Sequence, residues 1–343
     1  MNVNRLLRKN IRQLSAYVAK EIPCRVKLDA NESPYEFPSF LQSIDDIKTN
    51  RYPDPEARIL KREAARRWKT GARNILLGNG SDEIIYYLIT TFGGPVLYPT
   101  PTFSMYGIIA KAIGEKTIGI PLDRDFDLSL DAMLRAVKRE KPKLIFLSTP
   151  NNPTGNCFSS ERILKLIDRT KGLVVIDEAY YPFSSRKGML PLLRDYKNAL
   201  FMRTLSKIGF ASLRVGFLIA HEEIIEAVNR VRLPFNVNAL SQRIAIQVFK
   251  NYREIDRTIK AICRERDRVF RELSSIESIE VFPSEANFIL FRVRNAPAIH
   301  KKLLKKGVLI RDMSSQVRDS LRVTIGTPEE NDIFLEKIAE VLQ

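Results

Sequence analysis

Between residues 75 and 220 the chain carries several short apolar runs that are rich in β-branched and aromatic residues. The runs are continuous and do not alternate apolar with polar positions, which indicates strands buried on both faces. Strands of this kind are typical of a largely parallel sheet covered by helices. The clearest runs are KLIFLSTP (143–150), GLVVIDEAY (172–180), ALFMRTLS (199–206) and RVGFLIA (214–220).

The segments between these runs have helical character. SSERILKLIDRTK (159–171) opens with serines, which favour helix N-termini, and then places apolar residues at helical spacing. We therefore predict a crossover helix between two parallel strands. Strands and helices in this alternation predict an α/β fold.

The pattern changes after residue 235. A long helical stretch (240–273) is followed by IEVFPSEANFILFRV (279–293), which predicts two short strands around a Pro/Ser turn. Another helix, two more strands and a closing helix would complete an α+β unit. The expected parts are a large domain over 45–235, and an N-terminal arm with a small C-terminal domain over 1–44 and 236–343.

The chain is strongly basic, with 56 Lys and Arg against 40 Asp and Glu and a formal net charge of +16. Such an excess suits nucleic acid or another anionic partner. The basic residues, however, alternate with acids along predicted helices, as in KREAARRWK (61–69), which is typical of a solvated helix face. No nucleic-acid motif accompanies them, so we expect no nucleic-acid partner.

The sequence also bears on location. It has no run of about 18 apolar residues, so no membrane-spanning helix is predicted. The N-terminus lacks the apolar core and cleavage site of a secretion signal. Its basic, weakly amphipathic character leaves an organelle transit peptide open, but a cytoplasmic location is the simpler expectation.

Cysteine and histidine usage limits the chemistry. Cys24, Cys157 and Cys263 are scattered without a metal-ligand spacing, so we expect them to be reduced and structural. The two histidines, His221 and His300, argue against a His-based metal site, and no metal is predicted. General acid and base work would then fall to lysine, tyrosine and carboxylate side chains.

Polar residues follow three of the predicted strands. In open α/β sheets, ligands bind outside the carboxyl ends of the strands. PNNPTGN (150–156) follows the first run, DEAY (177–180) ends the second, and Ser206 and Lys207 end the third. Amide, carboxylate and lysine groups are therefore expected along one edge of the sheet.

The turn GNGSDEII (78–85) precedes a predicted helix. Gly78 and Gly80 allow a tight turn, and Ser81 is a suitable N-cap residue. Free N–H groups at the helix start favour a phosphate, although the pattern is equally typical of an ordinary capped helix. It is not a dinucleotide fingerprint, because no third glycine follows at the required position.

Asp177 and Asn152 each have two interpretations. Asp177 ends the strand LVVID and either caps the following helix or pairs with a protonated ring nitrogen of a cofactor. Asn152 in NNPTG is either a turn residue or an amide that donates to a phenolate oxygen.

Lys207 connects these possibilities. A lysine at a strand end is commonly exposed, but a lysine shielded from water near another cation can attack a carbonyl to form a Schiff base. Ser206 and Arg214 beside it offer a hydroxyl and a guanidinium, both suited to a phosphate. Aldehyde capture, pyridinium pairing and phosphate binding together indicate pyridoxal 5′-phosphate.

The chain resembles the fold-type I aminotransferases, a class II pyridoxal-phosphate-dependent family, from about residue 14 to its C-terminus. Within that family it is most similar to the enzymes that act on histidinol phosphate in histidine biosynthesis. The resemblance rests on nine stretches in the family order: DANESPY, RYPDP, GNGSDEII, PTPTFSMY, TPNNPTGN, VVIDEAY, TLSKIGFASLRVGF, RLPFNVN and SLRVTIG.

The resemblance implies roles for residues around the cofactor ring. Lys207 would hold the cofactor covalently and move the proton during transamination. Asp177 would keep the pyridine nitrogen protonated. Tyr180 and Asn152 would bind the phenolate oxygen, and Phe103 would stack on the ring, although an aromatic there is otherwise read as core.

The same resemblance implies a phosphate site and a partner subunit. Tyr52 in RYPDP would reach the cofactor phosphate of the neighbouring subunit, which implies a homodimer with shared active sites. Read without the family, Tyr52 is only a turn tyrosine. Within the chain, the residues that would surround the phosphate are Ser81, Asp82, Thr204, Ser206 and Arg214.

Five residues are predicted on the substrate side, where the site would accept both L-glutamate and histidinol phosphate. Arg322 matches the arginine that binds the α-carboxylate of glutamate in a bidentate pair, and is otherwise an ordinary strand arginine. Arg311 matches an arginine that helps to bind the substrate phosphate. The others are Asn236 in RLPFNVN, Asn31 in DANESPY and Tyr17 in the N-terminal arm, where SAY replaces the commoner Pro-Tyr.

One departure from the family concerns the lysine motif. From Lys207 to Arg214 is 214 − 207 = 7 positions, whereas most relatives have eight. Some members share the shorter SKIG form, so the arginine is expected to reach the phosphate from a loop trimmed by one residue.

The sequence leaves three alternatives. Two are enzymes with the same cofactor: a broad aromatic amino-acid transaminase, and a decarboxylase similar to the threonine-phosphate decarboxylases. The third is a cofactor-free binding or regulatory protein, which would leave Lys207, Asp177 and Arg322 without a shared explanation.

Overall fold

The computed structural model describes residues 3–15, 22–44 and 47–343. In these ranges no helix is long and apolar enough to cross a membrane. The strands are β1 Val26–Lys27, β2 Ile75–Asn79, β3 Val96–Thr100, β4 Thr117–Pro121, β5 Leu144–Ser148, β6 Leu173–Asp177, β7 Ala199–Thr204, β8 Val215–Ile219, β9 Ile279–Val281, β10 Phe288–Val293, β11 Val308–Leu309, β12 Arg311–Asp312 and β13 Ser320–Thr324.

The α-helices of the same ranges are α1 Arg58–Trp68, α2 Ser81–Phe92, α3 Met105–Ile113, α4 Leu130–Glu140, α5 Ser160–Arg169, α6 Glu222–Asn229, α7 Ala239–Lys250, α8 Tyr252–Ser274, α9 Ala296–Lys305 and α10 Pro328–Leu342. Short 3-10 helices cover Val3–Arg5, Ile11–Gln13, Pro38–Ile44, Ala72–Asn74, Tyr181–Phe183, Leu190–Arg194 and Ala211–Leu213.

A seven-stranded sheet forms the centre of the molecule, in the order β2-β8-β7-β6-β5-β3-β4. All four apolar runs are strands of this sheet, and SSERILKLIDRTK contains the crossover helix α5, as predicted. β8 alone runs antiparallel to its neighbours β2 and β7. Because two reversals restore the direction, β2 ends at the same edge as β5, β6 and β7.

Alternate residues of the central strands enter two different cores. On β6, Val174 and Ile176 face the core shared with α1, α4, α5 and α7, whereas Val175 faces the core formed with α2, α3 and α6. This alternation follows from the period of two in a strand. The fold is therefore α/β, with helices on both faces of a mostly parallel sheet, which confirms the predicted class.

The C-terminal part is built on a four-stranded antiparallel sheet in the order β12-β13-β10-β9. The predicted turn between two short strands lies between β9 and β10. The long helical stretch is not one helix, because it breaks at Asn251, whose backbone leaves the helical region and which bonds back to the Gln247 carbonyl. β1 pairs with β11 in parallel, which attaches the N-terminal segment to this part.

The division into domains at residue 235 stays a prediction. Helix α7, placed in the small part by that division, packs mainly on α1 and on the 3-10 helix Pro38–Ile44. Its buried Ile244, Ala245 and Val248 belong to the core on one face of the central sheet. α8, the helix after α7, packs on α10 and β9.

Candidate active site

The carboxyl ends of β5, β6 and β7 bring their last residues to one edge of the sheet. Ser148 and Asp177 are register partners at this edge, and β7 ends there with Thr204. Because β2 ends at the same edge, the start of α2 joins them. Four separate stretches of sequence are thereby brought to one place.

Close packing of glycines shapes the start of α2. Gly80 has φ of 81°, which favours glycine, and a Cβ there would overlap Nη2 of Arg214. A Cβ on Gly216 would approach the Gly80 carbonyl carbon and the Ser81 nitrogen to 2.7 Å. The two glycines therefore let the first turn of α2, β8 and Arg214 meet at a distance that larger residues would prevent.

The predicted N-cap at Ser81 is wrong by one position. Helix α2 begins at Ser81, Gly80 is its N-cap, and no side chain caps it. The cause is the positive φ of Gly80, which starts the helix one residue earlier than a serine cap would. Within the described ranges, no side chain caps the first N–H groups of α2, which is the arrangement that binds anions.

Arg214 reaches this helix start in spite of the seven-residue step from Lys207. Its Nη2 donates to Oδ2 of Asp82 at 3.3 Å. Arg214 has φ of 52°, a left-handed conformation that costs energy in a non-glycine residue and concentrates at functional sites. Oδ1 of Asp82 is buried without a hydrogen-bond partner among the described residues.

Thr204 and Ser206 lie together at the end of β7. Oγ1 of Thr204 donates to the Val215 carbonyl at 3.2 Å, and the two hydroxyl oxygens are 2.9 Å apart. The backbone N–H of Ser206 donates to the Thr204 hydroxyl at 3.1 Å. Both residues are buried, so their hydroxyls have fixed positions beside Lys207.

Lys207 is half-buried in the turn that follows β7. Its Nζ donates to the Ala30 carbonyl at 3.5 Å and lies 5.8 Å from the centre of the Tyr180 ring. The amine therefore lies between the N-terminal segment and the residues that follow β6.

Asp177 is almost fully buried at the end of β6. Oδ2 accepts from the Tyr106 hydroxyl at 2.7 Å, and Oδ1 accepts from the Ala179 N–H at 3.0 Å. Burial raises the pKa of Asp177 to about 6, against the opposing effect of these hydrogen bonds. Both bonded donors are neutral, so this carboxylate lacks a paired cation within the described chain.

A chain of hydrogen bonds joins four of the predicted residues. Oη of Tyr180 accepts from Nδ2 of Asn31 at 2.9 Å and from Nδ2 of Asn152 at 3.4 Å. Oδ1 of Asn152 accepts from Nη1 of Arg322 at 2.6 Å. Residues from the N-terminal segment, the central sheet edge and β13 are thereby connected.

The two predicted substrate arginines lie on neighbouring strands. Arg322 on β13 is the register partner of Arg311 on β12, and directly opposed residues project from the same face of a sheet. Arg322 is buried and its Nη2 donates to the Asp29 carbonyl at 2.7 Å, whereas Arg311 is exposed. Arg322 thus reaches the site from the C-terminal part, and Arg311 lies beside it on the neighbouring strand.

Three predicted residues have other surroundings. Phe103 is partly buried with its ring edge-to-face on Tyr106, at 5.5 Å between centroids. Tyr52 stacks on Phe235 with ring centroids 4.5 Å apart. Nδ2 of Asn236 donates to the Leu77 carbonyl and to Glu83 at 2.7 Å, and Tyr17 lies outside the described residues.

Two features of the site were not predicted. Tyr106, the partner of Asp177, lies in the quoted stretch PTPTFSMY but reads there as an ordinary helix tyrosine. Its only sequence signal is its place three residues after Phe103. Ala30 was also missed, because it contributes only a carbonyl, which no side-chain pattern reveals. No group of three or more His, Cys, Asp or Glu suited to a metal occurs in the described ranges.

Comparison with known proteins agrees with this geometry. The model of the family "Aminotransferase class I and II" matches residues 24–338. The chain is 42% identical over 351 residues to the histidinol-phosphate aminotransferase of Aquifex aeolicus, covering 98% of each chain. It is 39% identical to that of Caldanaerobacter subterraneus subsp. tengcongensis, covering 99% of each.

A solved structure extends the comparison. The histidinol-phosphate aminotransferase of Sinorhizobium meliloti, in complex with pyridoxal-5′-phosphate, matches with a TM-score of 0.89 at 25% identity, covering 98% of this chain and 97% of that chain. The chain therefore belongs to the class I and II aminotransferases, and the predicted family is confirmed.

Enzymes of this family depend on pyridoxal 5′-phosphate, which confirms the predicted cofactor. The residues present fit that group: a glycine-shaped helix start suits its phosphate, and a buried acid without a paired cation suits its ring nitrogen. When bound, the cofactor supplies an electron sink for charge that develops at the substrate α-carbon.

Proposed function

We propose that the chain transfers an amino group between L-glutamate and imidazole-acetol phosphate, yielding 2-oxoglutarate and L-histidinol phosphate, a step of L-histidine biosynthesis. The observation that carries this proposal is the 42% identity to a histidinol-phosphate aminotransferase over 98% of both chains. A match of that length includes both the cofactor-binding and the substrate-binding parts of the chain.

In this proposal Lys207 would hold the cofactor, and its amine would serve as the general base and acid that moves the proton of the substrate α-carbon. Its position beside Tyr180 supports the role. Asp177 binds the ring nitrogen through its buried carboxylate. The Tyr180 hydroxyl and the Asn152 amide would bind the phenolate oxygen, since Oη and Nδ2 of these residues already lie 3.4 Å apart. Phe103 would pack against the ring.

The cofactor phosphate is assigned to the start of α2 and the turn after β7. The first N–H groups of α2 and the positive end of its dipole attract a phosphate. Arg214 supplies the counter-charge at the same helix start, where it already contacts Asp82. The assigned residues are Ser81, Asp82, Thr204, Ser206 and Arg214, of which Asp82 contributes its backbone N–H in the first turn of α2.

The substrates are assigned to the two arginines of the C-terminal sheet. Arg322 binds the α-carboxylate of glutamate, and its bond to Asn152 couples that site to the cofactor ring. Arg311, exposed on the neighbouring strand, binds the phosphate of histidinol phosphate. Asn31, Asn236 and Tyr17 remain assigned to the substrate side, with Asn31 acting through Tyr180.

We further propose that the chain works as a cytoplasmic homodimer in which Tyr52 completes the partner's phosphate site. Tyr52 is 81% exposed and Leu233 is 63% exposed, and both lie near the exposed Phe235. Large exposed apolar side chains gathered in this way mark an interaction surface. Tyr52 stacked on Phe235 would be held in place for the neighbouring subunit.

The decisive experiment measures kcat/KM of the purified, cofactor-loaded protein with 2-oxoglutarate as acceptor. We expect histidinol phosphate to be preferred over phenylalanine by about 100-fold or more, because a site with a phosphate-binding arginine rejects a substrate without that group. Equal rates with phenylalanine would instead indicate a broad aromatic transaminase. Release of CO2 from threonine phosphate would indicate a decarboxylase.

Arg311 provides a matched test of the substrate assignment. Arg311→Ala should raise KM for histidinol phosphate by about tenfold or more while KM for glutamate changes little. Arg318→Ala is the control, since Arg318 is an exposed arginine in the same region. Equal effects of the two variants would remove Arg311 from the substrate phosphate site.

A further inference from the structure

Tyr106 is a fully buried tyrosine on α3 that no predicted role includes. Its ring stacks on Phe146 with centroids 4.8 Å apart and receives the edge of Phe103 at 5.5 Å. A buried hydroxyl without a partner costs about 1–3 kcal/mol. The position of this hydroxyl is therefore set by what it bonds.

The Tyr106 hydroxyl donates to Oδ2 of Asp177 at 2.7 Å. The contact follows from the register of β6, whose odd-numbered residues face the core that contains α3. Oδ1 is bonded by the Ala179 N–H, so Tyr106 is the only side-chain donor bonded to this carboxylate among the described residues.

We propose that Tyr106 is a positioning residue for the transamination. Its hydroxyl fixes the Asp177 carboxylate and lowers its affinity for a proton, so that the proton shared with the cofactor resides on the ring nitrogen. A hydrogen bond to the ionised form of an acid favours that form. The inference rests on the proposed function, because it assigns the cofactor's ring nitrogen to Asp177.

The charges around Asp177 make this hydroxyl important. Burial is the largest influence and raises the pKa of Asp177, and the carboxylate of Asp82 on α2 raises it further. Lys207, in the turn after β7, lowers it from a distance. Without the Tyr106 hydrogen bond, Asp177 would compete more strongly with a pyridine nitrogen for the proton.

The first test uses Tyr106→Phe, which keeps the ring and removes the hydroxyl. Tyr98→Phe is the matched control, because Tyr98 belongs to the same aromatic cluster, 6.5 Å from Tyr106 between ring centroids. Both proteins are loaded with pyridoxal 5′-phosphate labelled with 15N in the ring, and the 15N NMR shift is measured. We expect the shift to move from pyridinium towards neutral pyridine only in Tyr106→Phe.

The same variant should lower kcat by about tenfold or more, since a hydrogen bond to a charged group contributes about 1.5–3 kcal/mol. KM for glutamate should stay within about twofold, because Arg322 is untouched. An unchanged 15N shift with an unchanged kcat would overturn the proposal.

The second test needs no cofactor. In the cofactor-free protein, Tyr106→Phe should lower Tm more at pH 8, where Asp177 is ionised, than at pH 4.5, where it is protonated. A role in packing alone would give the same loss at both pH values and would overturn the proposal. The wild-type protein could fail to turn over histidinol phosphate while Tyr106→Phe still moves the 15N shift and lowers Tm as expected. That result would refute the substrate assignment only.

Discussion

Asp177 and Glu178 are adjacent buried acids that face opposite sides of the central sheet. Asp177 follows the odd-numbered residues of β6 towards α3, where it meets Tyr106. Glu178 turns to the other side, where it meets Arg203 on β7. The pleat of a strand accounts for this separation, because successive side chains leave by opposite faces.

Glu178 is fully compensated by its own chain. Its Oε2 accepts from Nε and Nη2 of Arg203 at 2.8 and 2.6 Å, and its Oε1 accepts from the Met189 N–H at 2.8 Å. The guanidinium lies between the rings of Trp68 and Tyr181, at 5.2 and 4.8 Å from their centroids. This face borders a cleft of about 1100 Å³ in which Lys207 has no part.

Asp177 is buried to the same degree, but among the described residues it is bonded only to neutral donors, and burial raises its pKa to about 6. A buried acid with a perturbed pKa and no paired cation marks a functional site more often than a structural one. Burial alone therefore does not identify a catalytic acid. What distinguishes Asp177 is that no residue of the described ranges forms an ion pair with it.

The largest expected effect separates the two acids by rate. Asp177→Asn should lower kcat by about 1000-fold or more, or about 4 kcal/mol, because the neutral amide cannot keep a ring nitrogen protonated. Glu178→Gln should retain most of its kcat, since its partners lie on the other face. Steady-state kinetics with glutamate and imidazole-acetol phosphate measures both.

Visible absorbance of the bound cofactor serves as the control, because each variant must be shown to be loaded. If Asp177→Asn and Glu178→Gln lost equal activity while both were loaded, the distinction between the two faces would fail.

The second effect is the stability that the protein loses when the buried charge of Glu178 is removed. Glu178→Gln should lower the free energy of unfolding by about 3–5 kcal/mol, since it leaves the Arg203 guanidinium buried without its counter-ion. Urea denaturation of the cofactor-free protein at pH 7.5 gives the value. Glu161→Gln, which removes an exposed i,i+4 partner of Lys165, should change it by less than about 1 kcal/mol.

The difference between these acids shows how far sequence reasoning reaches. The continuous apolar runs predicted the strands of the central sheet, and the rule that ligands bind beyond strand ends brought Asp177 and Lys207 into one hypothesis. Nothing in the sequence DEAY reveals that, among the described residues, Glu178 forms an ion pair and Asp177 does not. That depends on Arg203 and Tyr106, which other segments place on opposite faces.

The sequence also did not reveal some details of local backbone geometry and of long-range contacts. A serine after two glycines looks like an N-cap, yet the positive φ of Gly80 starts α2 at Ser81. An uninterrupted helical pattern hid the break at Asn251, because asparagine is tolerated in helices and marks their ends equally well. Asn236 stays a substrate-side prediction from its motif, and its amide also bonds to Glu83, a contact over 153 positions that no local pattern contains.

The third effect is the pH dependence that Asp177 gives to the free energy of unfolding. Its folded pKa of about 6 exceeds the ordinary value of 3.8, so the folded chain holds a proton that the unfolded chain has released between these values. The stability from this group is therefore present below about pH 4 and is lost as pH rises through 6, by up to about 3 kcal/mol.

Urea denaturation of the cofactor-free protein and of Asp177→Asn, compared from pH 4.5 to pH 8, measures this loss. The stability of the variant relative to the wild type should increase as pH rises, because the amide of the variant does not titrate. Parallel curves for the two proteins would show that burial leaves Asp177 with an ordinary pKa.

The smallest effect tests whether the Glu178 face is independent of the site. Arg203→Lys keeps the charge but loses the planar group that bonds Glu178 through two nitrogens and stacks between two rings, so it should cost about 1–2 kcal/mol. Trp68 is the one tryptophan of the chain, so its fluorescence reports the change at this face directly. The cofactor absorbance and kcat should not move, because the bonds of Asp177 to Tyr106 and Ala179 are untouched. A shift in the cofactor absorbance of this variant would show that the two faces are coupled through β6 and β7, and Glu178 would then belong to the site as well.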